Sequence, residues 1–265
     1  MSFHRADGLR YYRFDSLAQG GVIQAVFTRW GGVSPEPWLG LNLGGTVGDD
    51  PQRVSENRQR ALCAVGRATE SVYDVWQVHG DAVVCTQAPR PAQTPHLKSD
   101  AILTDRPEVT LIMRFADCVP IFLFDPRKRV VGLVHAGWQG TVLKVAEKAV
   151  RAMQAQYGCA AQDILAGIGP SIGQHHYPVG QNVIERVEQT FGAQAEAFLE
   201  RRNGNGSQAY FDLWEANRHV LAESGVEQVE VSGICTACHL EDWYSHRGEQ
   251  GKTGRFGAII ALNND

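Results

Sequence analysis

Short runs of β-branched, aromatic and aliphatic residues recur along the whole chain, and segments rich in Gly, Pro and Asp separate them. Runs of about four to eight such residues between turn-forming segments are typical of buried β-strands. The pattern therefore predicts strands at residues 22–27, 72–78, 82–86, 101–104, 109–113, 119–124, 130–134, 164–168, 229–234 and 256–262.

The apolar positions change to a helical period after His135. A stripe with helical spacing runs through Val142, Val145, Ala146, Ala149, Val150 and Met153. Weaker helical patterns cover residues 53–65, 181–191 and 213–224. Because several predicted strands follow one another without an intervening helix, we predict an α+β fold with mixed β-sheets flanked by helices. No internal repeat or low-complexity linker interrupts the chain, so we expect a single domain over residues 1–265.

Two adjacent runs, 119–124 and 130–134, flank the segment Asp-Pro-Arg-Lys-Arg and predict a hairpin. A loop made of Pro126 and Arg127 alone pairs Cys118 directly with His135. Opposed residues of an antiparallel pair have Cβ atoms about 4.5–5.5 Å apart, so a thiolate and an imidazole there can share one metal ion or one proton. A Pro at the first turn position also allows a longer loop and a shifted register. The alternative is that Cys118 is a small buried hydrophobe and His135 a core histidine.

His79 is a third candidate, because it ends the run 72–78 and Gly80 follows it. Two histidines and one cysteine suit a borderline-soft ion such as zinc. Three protein ligands leave a fourth position for water or substrate, which is typical of catalytic rather than structural zinc. The three residues come from separate predicted strands, so the prediction rests on their place at strand ends and not on their spacing along the chain.

Several segments carry groups that suit an anion. Residues 136–141 lead into the striped helix, and free backbone N–H groups at a helix start attract phosphate; the alternative is an ordinary loop-to-helix junction. Arg247 and Arg255 lie in Gly-bearing loops before the last predicted strand and can bind a phosphate through paired hydrogen bonds, unless they are solvated surface residues. Arg29 and Asn42 lie in the long Gly-rich segment 28–51, a kind of loop that is usually functional or disordered.

Composition narrows the class of ligand. The chain has 265 residues, a formal net charge of −4 and an isoelectric point near 6.1, without a basic face for nucleic acid. No run of about 18 apolar residues predicts a membrane span, and the N-terminal segment lacks the pattern of a secretory signal. We therefore expect a cytoplasmic protein that binds a small molecule, with its six cysteines mostly free thiols.

Some motifs are incomplete. Residues 235–239, Cys-Thr-Ala-Cys-His, match the haem-attachment pattern, but no export signal and no methionine in a haem-binding context accompany them. The zinc-deaminase pattern fails as well, because Asp81 stands where a Glu is required and Ile234 where a Pro is required. The Gly-rich segment 167–173 lacks the spacing of a dinucleotide-binding loop.

The ordered motifs together resemble those of the YfiH family, also called the laccase-domain or multicopper polyphenol oxidase family. They are TRWGGVS, LNLG, DDPQRVSENR, QVHG, ADCVP, HAGWQGT, IGPSIG, YPVG, CT, YSHR and TGR. The resemblance runs from about residue 20 to the C-terminus and is specific because the order of the motifs is kept. Members of this family are described as purine nucleoside phosphorylases.

The resemblance implies an α+β fold similar to a bacterial toxin deamidase and a zinc site at His79, Cys118 and His135. It also implies phosphorolysis of adenosine, inosine, guanosine and methylthioadenosine, with adenosine deamination as a side activity. The expected partners are a purine nucleoside and phosphate. Candidate contacts to this substrate pair are Arg29, Asn42, Arg58, Gln77, Gly137, Arg247 and Arg255.

Two other activities remain open at this point. Cys118 as a thiolate nucleophile and His135 as a base would form an amide hydrolase, which agrees with a description of some family members as peptidoglycan editing factors. A multicopper oxidase needs about ten histidines, largely in His-x-His pairs, whereas this chain has nine and no such pair. A single copper ion in the three-ligand site would still allow weak oxidase activity.

Overall fold

The protein is described by a computed structural model that covers residues 2–18, 21–202 and 209–263. Its strands are β1 (Ser2–Ala6), β2 (Leu9–Arg13), β3 (Val22–Phe27), β4 (Val72–Tyr73), β5 (Val83–Cys85), β6 (Ala101–Thr104), β7 (Thr110–Phe115), β8 (Val119–Asp125), β9 (Val130–Ala136), β10 (Leu165–Ile168), β11 (Pro178–Val179), β12 (Leu199–Glu200), β13 (Ala209–Phe211), β14 (Gln228–Val231) and β15 (Phe256–Leu262). Its α-helices are α1 (Pro51–Ala64), α2 (Trp138–Val142), α3 (Val145–Tyr157), α4 (Gln181–Phe191), α5 (Ala195–Phe198) and α6 (Leu213–Glu223).

Two mixed sheets form the centre of the described structure. The first has the order β1-β2-β3-β15-β7-β4 and is antiparallel except for the β4–β7 pair. The second has the order β14-β10-β8-β9-β6-β5, with parallel pairs at both of its edges. A small third sheet contains β11, β13 and β12. The predicted α+β class with mixed sheets is confirmed.

The two large sheets pack face to face with helices outside them. Phe122 and Leu133 of the second sheet share a core with Met113 and Ile260 of the first. The opposite face of the second sheet packs on α3 and α6, and α4 joins the same core through α2 and α5. The opposite face of the first sheet packs on α1. Strands β8, β9 and β15 are therefore buried on both faces along their whole length, which explains their continuous apolar sequences.

Most predicted strands are present, but several differ from their predictions. The run 72–78 forms a strand only at Val72–Tyr73, because the chain then leaves the sheet and makes a single bridge between Trp76 and Lys98. The predicted strand 229–234 ends at Val231. Strands β1 and β2 and the three short strands of the third sheet were not predicted. The hairpin of β1 and β2 turns at Asp7 and Gly8, both with positive φ, and Asp-Gly is a known signal for such a turn.

The predicted helix after His135 is two helices. Lys144, with a φ of 55°, lies between α2 and α3 and breaks the helical path, although the apolar stripe continues through both. The weaker predictions at 53–65, 181–191 and 213–224 correspond to α1, α4 and α6. Helix α1 begins with Asp50 as its cap and Pro51 in its first turn. None of the helices in the described ranges is long and apolar enough to span a membrane.

The predicted pairing of Cys118 with His135 is wrong by two residues. The hairpin closes at Asp125 and Val130, so Pro120 lies opposite His135. The longer loop is stabilised by Asp125, whose carboxylate accepts hydrogen bonds from the amides of Arg127 and Lys128 at 2.8 and 2.9 Å. The same register, continued past the end of β9, places Cys118 across from Gly137.

Candidate functional site

A pocket opens where β8 begins and β9 ends, and we refer to it as the Cys118 pocket. Its lining residues are His79, Asp117, Cys118, Gly137, Trp138, Gln139, Ile172, Tyr177 and Leu213. They come from the residues just before β8 and just after β9, from α2, from the start of α6 and from the loops that follow β4 and β10. Distant parts of the sequence therefore build this pocket.

His79, Cys118 and His135 meet at the pocket. One ligand atom from each lies within 4.8 Å of the other two. The rings of His79 and His135 are 4.9 Å apart between centroids and are inclined at 70°. His135 is 4 % exposed, Cys118 is half-buried and His79 is exposed, so the group is open to solvent on the side of His79.

Asp100 fixes the positions of both histidines. Its buried carboxylate accepts a hydrogen bond from Nδ1 of His135 at 2.8 Å, which directs Nε2 of that ring away from Asp100. The same carboxylate accepts bonds from the amides of Val78, His79 and Gly80 at 2.7–3.1 Å. These bonds hold the turn in which His79 has a φ of 59°. They also explain why the chain leaves the strand before His79.

The charges of this group are coupled. Burial alone would raise the pKa of the Cys118 thiol, but the nearby His135 outweighs that effect and lowers it below its ordinary value. Burial would lower the pKa of His135, but the charge of Cys118 and the hydrogen bond to Asp100 raise it. Asp100, despite burial, has a lowered pKa because His135 and backbone amides donate to it. Cys118 and His135 therefore favour each other's charged forms.

Gly137 leaves the space that this group needs. A Cβ atom at this position would lie 2.8 Å from Sγ of Cys118 and 3.3 Å from Cδ2 of His79. The helix that follows, α2, has only five residues. It is much shorter than the predicted striped helix and provides a correspondingly weaker dipole for an anion at Gly137.

Two of the predicted arginines lie beside the pocket. The amide of Arg247 donates to Asp117 at 2.6 Å, and its guanidinium lies 5.1 Å from the ring centroid of Tyr177. Burial lowers the pKa of Arg255, and the charges of Cys118 and Asp117 act in the opposite direction. Asp117 itself also accepts bonds from the hydroxyls of Thr236 and Ser245.

Arg58 and Gln77 lie near a buried ion-pair cluster centred on Asp74. Gln77 exchanges two hydrogen bonds with the backbone of Arg114, at 2.8 and 3.0 Å, and so fixes the chain just before His79. Arg58 donates to the carbonyl of Leu43. Burial and the repulsion from Arg114 lower the pKa of Arg58 to about 10.

Arg29 and Asn42 hold the long loop 28–51 in place. Arg29 pairs with Glu249 at 3.0 Å and lies over the ring of Tyr244. Asn42 is fully buried; it donates to Asp49 and accepts from the amide of Arg255. These contacts make both residues parts of the scaffold around the loop.

A second group of metal-type ligands lies outside the pocket lining. It contains His175, His176, Cys235 and Cys238, whose ligand atoms lie within 4.8 Å of one another. His239, the last residue of the haem-like motif 235–239, is not part of this group, and its Nδ1 lies 3.2 Å from Glu241. The His-His pair, about sixty residues earlier in the chain, was missed because nothing in its spacing relates it to the cysteines.

Other residues of the site were also missed in the sequence. Asp100 directly precedes the predicted strand 101–104, and nothing in the sequence around it relates it to His79 or His135. Trp138 and Tyr177 lie inside recognised motifs, but no chemistry was assigned to them. Their half-buried rings form part of the wall of the Cys118 pocket.

Comparison with known proteins gives a consistent result. Residues 23–263 match the protein-family model described as multi-copper polyphenol oxidoreductase laccase. A protein of Deinococcus radiodurans named purine nucleoside phosphorylase is 39 % identical, over 97 % of this chain and 94 % of its own. Purine nucleoside phosphorylase YlmD of Bacillus subtilis is 36 % identical, over 91 % of this chain and 88 % of its own. The crystal structure of the Bacillus licheniformis hypothetical protein YfiH superposes with a TM-score of 0.91 and 31 % identity, over 98 % and 99 % of the two chains.

Proposed function

The chain belongs to the family described as multi-copper polyphenol oxidoreductase laccase, the YfiH family that its motifs resemble, and on that basis we propose that it is a purine nucleoside phosphorylase. The observation that carries the proposal is the convergence of His79, Cys118 and His135 in one pocket. Nearly full-length similarity to relatives named purine nucleoside phosphorylases supports it.

The three residues suit a zinc ion. Two imidazoles and one thiolate are ligands that zinc prefers, and three of them leave one position open. The hydrogen bond from His135 to Asp100 is the outer contact that metal-bound histidines usually make. A zinc ion held by these residues supplies Lewis-acid chemistry to an oxygen of a substrate. A copper ion would find the same three ligands.

The walls of the pocket suit a nucleoside. Trp138 and Tyr177 provide aromatic surface, and Ile172 and Leu213 add apolar surface, against which a flat purine can pack. Among the candidate contacts, Arg247 and Arg255 bring positive charge to the side of the pocket, where a phosphate would be bound. The other proposed contacts, Arg29, Asn42, Arg58 and Gln77, support the loops around it.

The proposed reaction is phosphorolysis of adenosine, inosine, guanosine or methylthioadenosine. An oxygen of phosphate forms a bond to C1′ of the ribose while the bond from C1′ to the purine nitrogen breaks. The purine leaves with the bonding electron pair and takes up a proton, and the sugar leaves as its 1-phosphate. The proposed side activity replaces the 6-amino group of adenosine by a water oxygen and releases ammonia.

The test is an assay of zinc-loaded protein with inosine, in the presence and absence of phosphate. We expect hypoxanthine to form only when phosphate is present. Adenosine in the same assay reports both activities, because phosphorolysis yields adenine and deamination yields inosine. The proposal fails if none of the four nucleosides gives a phosphate-dependent product.

A second candidate function is supported by the contact between His135 and Asp100. Cys118, His135 and Asp100 are arranged as a nucleophile, a base and a residue that orients the base, as in cysteine hydrolases. In this alternative the thiolate attacks an amide carbonyl and His135 protonates the leaving amine. Peptidoglycan editing would use this chemistry.

Alkylation separates the two candidates. If Cys118 binds zinc, iodoacetamide modifies it slowly in zinc-loaded protein and faster after chelation. If it is a free nucleophile, the rate is the same with and without the chelator.

The name of the family includes laccases, but the His/Cys groups of this protein do not match the copper sites of a multicopper oxidase. A multicopper oxidase needs a blue-copper site and a trinuclear cluster with about ten histidines. The described residues contain two His/Cys groups, with three and four members. Polyphenol oxidation is therefore not part of the proposal.

A further inference from the structure

The second His/Cys group has the composition and spacing of a closed metal site. Nε2 of His175 lies 3.0 Å from Sγ of Cys238. Nδ1 of His176 lies 3.5 Å from Sγ of Cys238 and 3.6 Å from Sγ of Cys235. All four ligand atoms lie within 4.8 Å of one another. Two imidazoles and two thiols therefore surround one point.

Most of these distances agree with a tetrahedron around zinc. With Zn–S bonds of about 2.3 Å and Zn–N bonds of about 2.0–2.1 Å, neighbouring ligand atoms are about 3.3–3.8 Å apart. The two distances from Nδ1 of His176 lie in this range, whereas the distance between His175 and Cys238 has to lengthen by about 0.5 Å. We propose that His175, His176, Cys235 and Cys238 bind a second metal ion of the zinc type, separate from the Cys118 pocket.

The site would be structural. Four protein ligands complete the coordination of zinc and leave no position for a substrate. Cys235 is 4 % exposed, and its sulfur accepts a hydrogen bond from the amide of Gly173 at 3.2 Å, which fixes the position of the sulfur. A Cβ atom at Gly173 would lie 2.8 Å from the ring of His175, so a larger residue there would displace that ring from the group.

The metal ion would link two loops that form part of the wall of the Cys118 pocket. The loop after β10 carries both histidines, and the loop after β14 carries both cysteines. Ser171 and Cys235 form the bridge between these loops. Tyr177 follows His176 directly and lines the pocket, and Thr236, between the cysteines, donates to Asp117 at 2.7 Å. A bound ion would thus fix the part of the pocket wall that Tyr177 and Asp117 form.

The experiment counts zinc in protein that lacks the first site. Cys118→Ala is produced in zinc-supplemented medium, purified with a phosphine reductant to exclude a Cys235–Cys238 disulfide, dialysed and analysed by elemental mass spectrometry. We expect about one equivalent of zinc per chain to remain. Adding Cys235→Ser and Cys238→Ser should remove it, whereas adding Cys63→Ser, an exposed cysteine of α1, should not. The count is independent of the proposed phosphorylase activity, because no turnover is measured.

Cobalt provides a second readout that needs no further variant. Co²⁺ added to metal-free Cys118→Ala protein should give the intense visible bands of tetrahedral cobalt together with thiolate charge-transfer absorption. Zinc should abolish both by displacement. The proposal is overturned if Cys118→Ala contains no zinc, or if zinc remains after Cys235 and Cys238 are both replaced. A weak octahedral cobalt spectrum would overturn it as well.

Discussion

Asp100 accepts hydrogen bonds from His135 and from the turn that carries His79, so one carboxylate orients two of the three proposed ligands. His79, Cys118 and His135 could be predicted from the sequence because each stands at the end of an apolar run. Asp100 could not, since its role depends on contacts with residues more than twenty positions away on either side. The second ligand group was missed for the same reason.

Replacing Asp100 by Asn should weaken metal binding more than folding. The side-chain oxygen of Asn can still accept some of the hydrogen bonds from the backbone of the turn. It lacks the negative charge with which Asp100 supports His135 as a ligand. Loss of such an outer contact typically costs about 10–100-fold in metal affinity. Competition with a chromophoric chelator measures this affinity. Asp105→Asn, just after the other end of β6, is the matched control and should bind zinc like the wild type. Equal affinities of the two variants would contradict the role given to Asp100.

Gly137→Ala tests the space beside Cys118. The added methyl group would lie 2.8 Å from Sγ, so the sulfur has to move and the geometry of the ligand group is lost. We expect the variant to fold and to lose zinc from the Cys118 pocket. Gly80→Ala is the control, because its Cβ would meet its nearest neighbours at 3.5 and 3.6 Å. Wild-type zinc retention by Gly137→Ala would show that the close approach of Gly137 to Cys118 is not required.

Among the elements, the buried strands were the most predictable. Strand β15 matches its prediction residue for residue, because a strand buried on both faces has a continuous apolar sequence. The hairpin of β1 and β2 was missed because β1 alternates between half-buried and exposed residues and β2 has polar residues between its buried ones. The segment after Tyr73 was apolar enough to be mistaken for a strand. The register of β8 and β9 depended on a loop length that Asp125 sets through its own hydrogen bonds.

The segment after β4 is joined to β7 by a buried ion pair. Asp74 is 3 % exposed and contacts Arg114 at 2.7 Å and Arg90 at 2.9 Å. Burial alone would raise the pKa of Asp74, but Arg114 and its other partners lower it to about 2. A carboxylate with a lowered pKa stabilises the folded protein above its unfolded pKa of about 3.9, and this contribution disappears as the pH falls towards 2.

Asp74→Asn should therefore reduce stability by about 2–3 kcal/mol at pH 7. The difference from the wild type should shrink as the pH is lowered from about 4 towards 2. Urea unfolding at a series of pH values measures it. Asp163→Asn, which removes a pairing with the exposed Arg127, should cost at most about 1 kcal/mol. A pH-independent difference for Asp74→Asn would exclude its charge as the cause.

At the scale of the whole molecule, the class of fold was predictable but the order of strands was not. The two sheets each combine strands from both halves of the sequence, such as β3 with β15 and β8 with β10. The pocket lies where these distant segments converge. The convergence of His79, Cys118 and His135 could be predicted only through residues at strand ends and through the family resemblance, since neither the sheet order nor the wall residues leave a periodic signal.

The core between the two sheets should dominate stability. Phe122 of β8 is fully buried there, with its ring 5.2 Å from that of Phe14. Phe122→Ala removes this packing and should cost about 3–5 kcal/mol in urea unfolding. Phe3→Ala, at a position 41 % exposed, should cost much less. Similar costs for the two variants would mean that the sheets are not held together by this core.

The identity of the sugar product is the most direct test of phosphorolysis at the Cys118 pocket. Zinc-loaded wild-type protein and Cys118→Ala are incubated with inosine and phosphate, and ribose 1-phosphate is quantified by phosphorus NMR. We expect ribose 1-phosphate in amounts equal to hypoxanthine for the wild type and neither product for Cys118→Ala. Free ribose in place of ribose 1-phosphate, or full product formation by Cys118→Ala, would contradict a phosphorylase that works through this pocket.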